Sequence, residues 1–190
     1  MTRSPALEFL LARRSRPAKL LRAPVPDAAA LRLMLTAAAR VPDHGKLEPW
    51  RFVVLERAAL ARLAEAAGAR AAAAGLAPDL VAKARSQFDA SPLAVVVVAS
   101  PKPSDKIPEI EQVLSVGAAC LSLLNAALAS GWGANWLTGW AAHDRGFVEG
   151  DLGLAAQEWV AGIVHIGTAT EAVPDRPRPD MDRIVTWVMA

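Results

Sequence analysis

Residues 40–54 read RVPDHGKLEPWRFVV, a stretch that leads from a helix into a strand. Apolar residues at helical spacing precede it, and the residue before a proline avoids helical geometry, so the helix is expected to stop before Pro42. Residues 50–56 are predicted to form a strand, because aromatic and β-branched residues lead it. Arg40 and His44 lie on either side of the stop, so both can project from one helix-to-loop corner.

Outward from this stretch, helices and strands are mixed without strict alternation. Helices are predicted at residues 5–14, from Asp27 to the stop before Pro42, at 58–73, 78–87 and 109–130, and from Asp144 onward. Strands are predicted at residues 50–56, 93–99, 134–138, 159–167 and 184–188. No repeat and no glycine-rich dinucleotide turn after a strand is present, which favours an α+β sandwich over a doubly wound fold. Residues 58–87 are interpreted as a lid or partner-facing excursion.

Two segments are expected to be buried at the centre of the fold. Leu93–Ala99 is nearly continuous valine, which is typical of a strand covered on both faces. Residues 113–142 contain no charged side chain and are long enough to suggest a membrane span. Because Gly131-Trp132-Gly133 breaks the run, a buried central helix followed by a buried strand is the preferred interpretation, with no membrane association.

Composition limits the class of protein. A chain of 190 residues with 53% hydrophobic and 21% charged residues suits a single soluble domain over residues 1–190. Twenty-one basic residues face 19 acidic ones, so the formal net charge is only +2, and 16 of the basic residues are arginines, which favour forked contacts with phosphate. The one dense basic group, within residues 13–22, is too short to predict nucleic-acid binding.

Several other kinds of site find no support in the sequence. His44, His143 and His165 are far apart along the chain, so no metal site is expected, and no Gly-x-Ser-x-Gly elbow or phosphate-loop pattern occurs. The lone Cys120 lies on an apolar helix and is expected to be buried rather than reactive. No signal peptide is recognised, so a cytoplasmic location is expected.

Five short motifs, in order along the chain, resemble the framework of the nitroreductase family. They are Arg13-Arg14-Ser15, the segment from Pro42 to Trp50, the acidic entry at Glu111 into a long apolar helix, Gly131-Trp132-Gly133, and the strand GIVHIG at residues 162–167. The Pro-Asp-His variant and the short chain resemble the small YdjA-type branch. The resemblance implies a three-layer sandwich: a central, mostly antiparallel sheet with flanking helices and a long buried central helix.

The same resemblance implies a flavin mononucleotide (FMN) site. A bound flavin needs cations at its phosphate, hydrogen-bond donors around its pyrimidine edge and an apolar wall. The implied cofactor-binding residues are Arg13, Arg14, Ser15, Trp136, Leu137, Thr138, Gly139, Arg176 and Arg178, together with Arg40 and His44, which would reach the flavin of the other subunit. Taken without the family, these residues also suit a solvated helix end, a loop-capping histidine, a core tryptophan and an exposed tail.

The implied function is an FMN-dependent oxidoreductase and homodimer. Hydride would pass from NADH or NADPH through the flavin to a nitroaromatic or quinone acceptor by a ping-pong mechanism. No catalytic side chain is expected, because the flavin ring itself accepts and donates hydride. Two alternatives stay open: a non-catalytic flavin store or sensor on the same fold, and an anion-binding or nucleic-acid module that uses the basic group of residues 13–22.

Overall fold

The computed structural model describes residues 3–189, which form seven α-helices and five strands. The helices are α1 (Pro5–Ala12), α2 (Ala28–Ala38), α3 (Arg57–Ala73), α4 (Pro78–Asp89), α5 (Glu109–Ala129), α6 (Trp140–His143) and α7 (Met181–Ile184). The strands are β1 (Leu21–Arg22), β2 (Trp50–Leu55), β3 (Leu93–Ala99), β4 (Gly133–Leu137) and β5 (Trp159–Ala169). Short 3-10 turns occupy Ala18–Leu20 and His44–Lys46, and Phe147–Asp151 forms a π-helical turn.

The five strands form one antiparallel sheet. Along it the order is β1-β5-β3-β2, and β4 also pairs with β5. In the centre, Leu93 of β3 lies opposite Ile166 of β5, and Leu55 of β2 lies opposite Ala94 of β3. On the other side of β5, Gly133 of β4 opposes Gly167. The long strand β5 therefore joins the two halves of the sheet.

Helices cover both faces of the sheet, so the chain has two apolar cores. Val95 and Val97 of β3 pack on one face against α2 and α5, and Val96 and Val98 pack on the other against α3, α4 and the segment after β4. Successive side chains of a strand point to opposite faces, which explains why the whole valine run is buried. The expected three-layer α+β sandwich with a mostly antiparallel sheet is confirmed.

Polar side chains cap the helices where the sequence predicts their starts. The Ser4 Oγ accepts the backbone N–H of Leu7 at 3.3 Å, and Asp27 Oδ1 accepts that of Ala30 at 2.8 Å. Asp144 Oδ1 accepts the N–H of Phe147 at 2.7 Å, and a helical turn follows. Each cap satisfies a backbone donor that has no partner within its own helix.

Two expectations about the fold are wrong. Residues 184–188 form no strand: α7 ends at Ile184, and the segment beyond it pairs with no strand within residues 3–189, with Trp187 85% exposed. A strand needs the backbone of a neighbour, and the apolar pattern alone does not supply one. The helix α3 is not part of a lid, because Leu60 and Leu63 are fully buried against the sheet.

The central helix α5 is buried on one side only. It is long and apolar enough to cross a membrane, yet eight of its 21 residues are buried, in contact with the sheet and α2. Cys120 is among them, and burial raises the pKa of its thiol to about 12, so the structural interpretation of this residue is confirmed. The outer side of the helix carries exposed apolar residues, among them Ile110, Leu114 and Leu121.

Candidate functional site

An arginine cluster, defined here as Arg13, Arg14 and Arg178, forms where α1 ends. The Arg178 guanidinium donates to the carbonyl of Leu11 at 3.1 Å, and Arg14 Nε donates to the carbonyl of Pro174 at 3.1 Å. These two hydrogen bonds hold residues 174–178 against the C-terminal end of α1. Residues more than 150 positions apart along the chain therefore lie together in the arginine cluster.

Arg13 is the innermost member of this cluster. Its Nη2 donates to Ser15 Oγ at 2.9 Å, while its Nε is buried without a hydrogen-bond partner among the described residues. Burial, and then the charges of Arg14 and Arg178, lower the pKa of Arg13. Like charges held together beside an unsatisfied donor are costly, and an anion bound there would relieve both costs.

The two tail arginines differ in position. Arg178 belongs to the cluster, although Asp175 partly neutralises it through an ion pair of 3.0 Å. The backbone N–H of Arg176 donates to Asp175 Oδ1 at 2.8 Å. The Arg176 side chain makes no hydrogen bond in the part of the chain that the structure describes. The arrangement therefore favours Arg178 over Arg176 as an anion contact.

A cleft of about 490 Å³ opens beside the segment that follows the cluster. The backbone N–H of Arg16 donates to the carbonyl of Ala134 at 2.8 Å, which fixes this segment against β4. Three segments line the cleft: residues 17–19, the inner face of α4, and Asn135 with residues 137–140 at the end of β4. Its walls are mainly apolar, and its polar lining residues are Lys19, Lys83, Ser86, Gln87, Asn135 and Thr138.

The predicted tetrad at residues 136–139 divides between two faces of the sheet. Leu137, Thr138 and Gly139 line the cleft. Trp136 does not: its ring occupies the space beside Gly162 on β5, and 36% of the residue is exposed. Neighbouring residues of a strand point to opposite sides, so a tetrad that begins on β4 cannot present every side chain to one ligand.

In this structure Gly139 makes room for a neighbouring side chain rather than for the close approach of a flavin ring. Its backbone is extended, with φ −167°, a conformation open to any residue. A Cβ at this position would instead meet the side-chain amide of Gln87, which packs directly against the glycine. The Gln87 Nε2 is buried and has no partner among the described side chains. This amide is therefore a donor available to a ligand in the cleft.

The other two tryptophans near the glycine turn fill space in the cores. Trp132 is partly buried against the α2 and α5 core, and Trp140 against the core on the opposite face. Both therefore have the packing role that the sequence predicted for them.

His44 and Arg40 lie at a second place, near the start of α5. His44 Nδ1 is 2.7 Å from Glu111 Oε2, and the exposed Arg40 side chain makes no polar contact with any described residue. Nineteen residues of helix separate Glu111 from Ser130, or ~28 Å along the axis. The arginine cluster and its segment are fastened to Ala134, just beyond the far end of α5. The structure does not bring His44 and the arginine cluster together within one chain.

Sequence reasoning missed the polar residues that α4 brings to the cleft. Leu80, Lys83 and Gln87 are spaced three and four residues apart, so they share one face of this helix. That spacing was available from the sequence, but nothing local indicates which element the face meets. Lys19 was missed for the same reason, because its position in the cleft depends on a contact with β4.

Two further polar pairs lie away from the cleft, and each contains at least one buried side chain. Glu158 accepts two hydrogen bonds from Arg51, at 2.7 and 2.6 Å, and these bonds are the main cause that lowers its pKa to about 2. His165 Nδ1 lies 2.7 Å from Ser91 Oγ, and burial lowers the pKa of this histidine to about 4. Both pairs join a strand to a neighbouring segment, which is a structural role.

Comparison with known proteins identifies relatives over most of the chain. A sequence model of the nitroreductase family matches residues 10–168. The Escherichia coli K12 protein described as "Putative NAD(P)H nitroreductase YdjA" is 35% identical over 163 residues, which cover 86% of this chain and 87% of that protein. A Haemophilus influenzae protein described as "Putative NAD(P)H nitroreductase" is 36% identical over 167 residues, covering 87% and 89%.

Solved structures share the fold at lower identity. The nitroreductase-like family protein from Bacillus cereus has a TM-score of 0.78 and 21% identity, and the match covers 99% of this chain and 98% of that one. A Desulfovibrio desulfuricans protein, described as "a putative nitroreductase in complex with fmn", has a TM-score of 0.75 and 19% identity, with both chains fully covered.

Proposed function

The chain belongs to the nitroreductase family, and from that premise we propose that it is an FMN-dependent oxidoreductase that draws hydride from NADH or NADPH. The single observation that carries the proposal is the arginine cluster beside an apolar cleft. The relatives described as NAD(P)H nitroreductases, and the related fold described in complex with FMN, support the same cofactor and reductant.

The cluster suits the phosphate of FMN. Arg13 offers a buried Nε without a partner within residues 3–189, and Arg14 and Arg178 add positive charge around it. A guanidinium presents paired donors that match phosphate oxygens, whereas the same three charges without an anion repel one another. Ser15 lies next to Arg13 and its hydroxyl can serve the same ligand.

The cleft suits the flat part of the cofactor. When bound, FMN would accept hydride and pass the electrons to a second substrate, so the protein need not supply an acid or a base. The backbone at Leu137, Thr138 and Gly139 and the amide of Gln87 offer hydrogen-bonding groups, and Leu80 and Ala84 of α4 give the cleft an apolar wall. Lys19 and Lys83 add positive charge at the cleft, which favours an electron-rich ring.

A homodimer completes the proposed site. His44 and Arg40 are assigned to the cofactor of the other subunit, and their position at the opposite end of α5 from the arginine cluster supports this assignment. The outer side of α5 carries an apolar stripe, defined here as Ile110, Leu114, Gly117 and Leu121, whose three large members are 45–66% exposed. Contiguous exposed apolar surface of this kind marks an interface. A side chain at Gly117 would meet nothing within 4 Å, so a second helix has room to approach there.

We extend the proposal to the acceptor and the setting of the enzyme. Nitroaromatics or quinones would be reduced at the same face of the flavin by a ping-pong mechanism. The protein would act in the cytoplasm as a single domain over residues 1–190, without a membrane or a nucleic acid as partner.

The experiment that tests the proposal follows the absorption spectrum of the purified protein, reconstituted with FMN, in the absence of oxygen. We expect flavin bands that bleach on addition of NADPH or NADH and return when a nitroaromatic or a quinone is added. Bands that persist with both nicotinamides would contradict reductase turnover and favour a flavin store or sensor. Failure to bind FMN would remove the proposal and leave an anion-binding or nucleic-acid role for the arginines.

A further inference from the structure

The loop between α2 and β2 is held in an unusual conformation. Gly45, Lys46 and Glu48 have φ values of +69°, +54° and +49°, in the left-handed region. Two of the three are not glycine, and such residues adopt this conformation only where surrounding contacts enforce it. Strain of this kind is concentrated where a side chain must be presented in one direction.

Two side chains supply the contacts that enforce it. The Asp43 carboxylate accepts the backbone N–H groups of Leu47 at 3.1 Å and Glu48 at 2.9 Å. From α5, Ser115 Oγ donates to the carbonyl of Pro42 at 2.7 Å and accepts Trp50 Nε1–H at 3.1 Å. The loop is thus closed on itself and fastened to the central helix at both of its ends.

Within this loop, His44 is directed by a single carboxylate. Its Nδ1 lies 2.7 Å from Glu111 Oε2, one turn of α5 before Ser115. An ionised carboxylate only accepts hydrogen bonds, so Nδ1 must carry the proton that joins the two groups. The other ring nitrogen, Nε2, makes no hydrogen bond to any described residue, and the His44 side chain is 63% exposed.

We propose that Glu111 is a positioning residue for His44: it fixes the Nδ1–H tautomer and turns Nε2 outward, toward the cofactor held by a second copy of the chain. The inference rests on the proposed function, because it takes from it the cross-subunit role of His44. A hydrogen bond between two side chains this exposed contributes little to stability. The geometry of this contact instead determines which ring nitrogen of His44 carries the proton and in which direction the other nitrogen points.

Glu109 provides a matched control. Both glutamates lie in the first turn of α5, where a negative charge stabilises the helix N-terminus. Replacing either with alanine removes the same charge from the same helix end, but only Glu111 contacts His44. A purely structural role would therefore make Glu109→Ala and Glu111→Ala equivalent in every measurement.

The first measurement is the dissociation constant of FMN for the wild type, both alanine variants, Glu111→Gln, His44→Ala and the double variant His44→Ala/Glu111→Ala. We expect Glu111→Ala to weaken FMN binding about threefold to tenfold and Glu109→Ala to leave it unchanged. Glu111→Gln, which keeps an acceptor oxygen, should retain most of the affinity. On the His44→Ala background, Glu111→Ala should have no further effect. Equal effects of Glu111→Ala on both backgrounds would overturn the proposal.

The second measurement is the tautomer of His44, read from long-range ¹H–¹⁵N correlations of the imidazole, in the free and the FMN-bound protein. We expect the Nδ1–H form in the wild type and in Glu109→Ala, and a shift toward Nε2–H in Glu111→Ala. An unchanged tautomer in Glu111→Ala would show that Glu111 does not orient the ring. The free-protein spectrum still tests the Glu111 contact if FMN does not bind. In that case the proposed function fails, and the positioning role in cofactor binding fails with it.

Discussion

The Arg13 side chain lies in unfavourable surroundings. It is partly buried, like charges lie beside it, and its Nε has no hydrogen-bond partner among the described residues. We expect Arg13→Ala to weaken FMN binding about tenfold or more, through loss of a charge-assisted hydrogen bond of about 1.5–3 kcal/mol. Quenching of flavin fluorescence measures this change. Arg32→Ala removes the same charge from an exposed site on α2 and should leave the affinity unchanged. Equal affinities for the two variants would remove Arg13 from the phosphate site.

His165 makes stability depend on pH. Its pKa, lowered to about 4 by burial, lies below the ordinary value of 6.5, so the unfolded chain takes up a proton before the folded one does. Proton uptake by the unfolded chain therefore lowers the free energy of unfolding as pH falls below about 6.5. The loss reaches about 3 kcal/mol near pH 4. Urea unfolding between pH 7.5 and 4.5 measures it. His165→Asn keeps a partner for Ser91 but does not titrate, so its stability should vary less with pH than that of the wild type. Parallel curves for the two proteins would contradict the account.

Among the ion pairs within residues 3–189, the one that joins β2 to the loop before β5 has the most buried carboxylate. Glu158 is almost fully buried and Arg51 is half-exposed, so Arg51→Ala leaves a buried carboxylate without its partner. We expect a loss of about 2 kcal/mol in the free energy of unfolding near neutral pH. The loss should shrink as pH falls below about 4.5 toward 2, since the lowered pKa of Glu158 contributes stability only above that range.

The exposed bridge between Arg85 of α4 and Glu65 of α3 serves as its control. Water screens that pair, so Glu65→Ala should leave the denaturation midpoint almost unchanged. If Arg51→Ala had as little effect as Glu65→Ala, the Glu158 bridge would not be stabilising the fold.

The apolar stripe on α5 predicts how two copies meet. Leu114 lies at its middle and is 66% exposed, so Leu114→Asp should place a charge inside the dimer interface and raise the dimer dissociation constant at least tenfold. Sedimentation velocity over a range of concentrations measures this. Leu33 on α2 is 71% exposed and outside the stripe, which makes Leu33→Asp the matched control. A Leu114→Asp protein that dimerises as tightly as Leu33→Asp would place the interface elsewhere.

The elements that local rules govern could be predicted from the sequence. Ser4, Asp27 and Asp144 cap helices as expected because a cap needs only its own first turn, and the valine run was recognisable because burial on both faces leaves no polar position. The cleft wall on α4 and the missing strand after Ile184 depend on which surfaces meet over long distances. Local pattern carries no information on such contacts, which is why Gln87 and Lys83 were not predicted.

For the molecule as a whole, the fold separates two groups of site residues that the proposed function unites. The segment that follows the arginine cluster is fastened to Ala134, just beyond the end of α5, and His44 is held near the start of this helix, which extends ~28 Å from Glu111 to Ser130. One chain cannot offer both groups to one flavin. Two antiparallel copies of α5 would bring the start of one helix to the end of the other, so two chains would share each flavin site.

A heterodimer of one Arg13→Glu chain and one His44→Ala chain, purified through two different tags, tests whether the site is shared. The measurement counts the tightly bound FMN in this heterodimer. A shared site places both changes in one pocket and leaves the other pocket intact. We therefore predict one FMN per heterodimer bound with wild-type affinity, while each variant homodimer binds FMN weakly at both sites. A heterodimer without any site of wild-type affinity would contradict the account, because each chain would then be building its own flavin site.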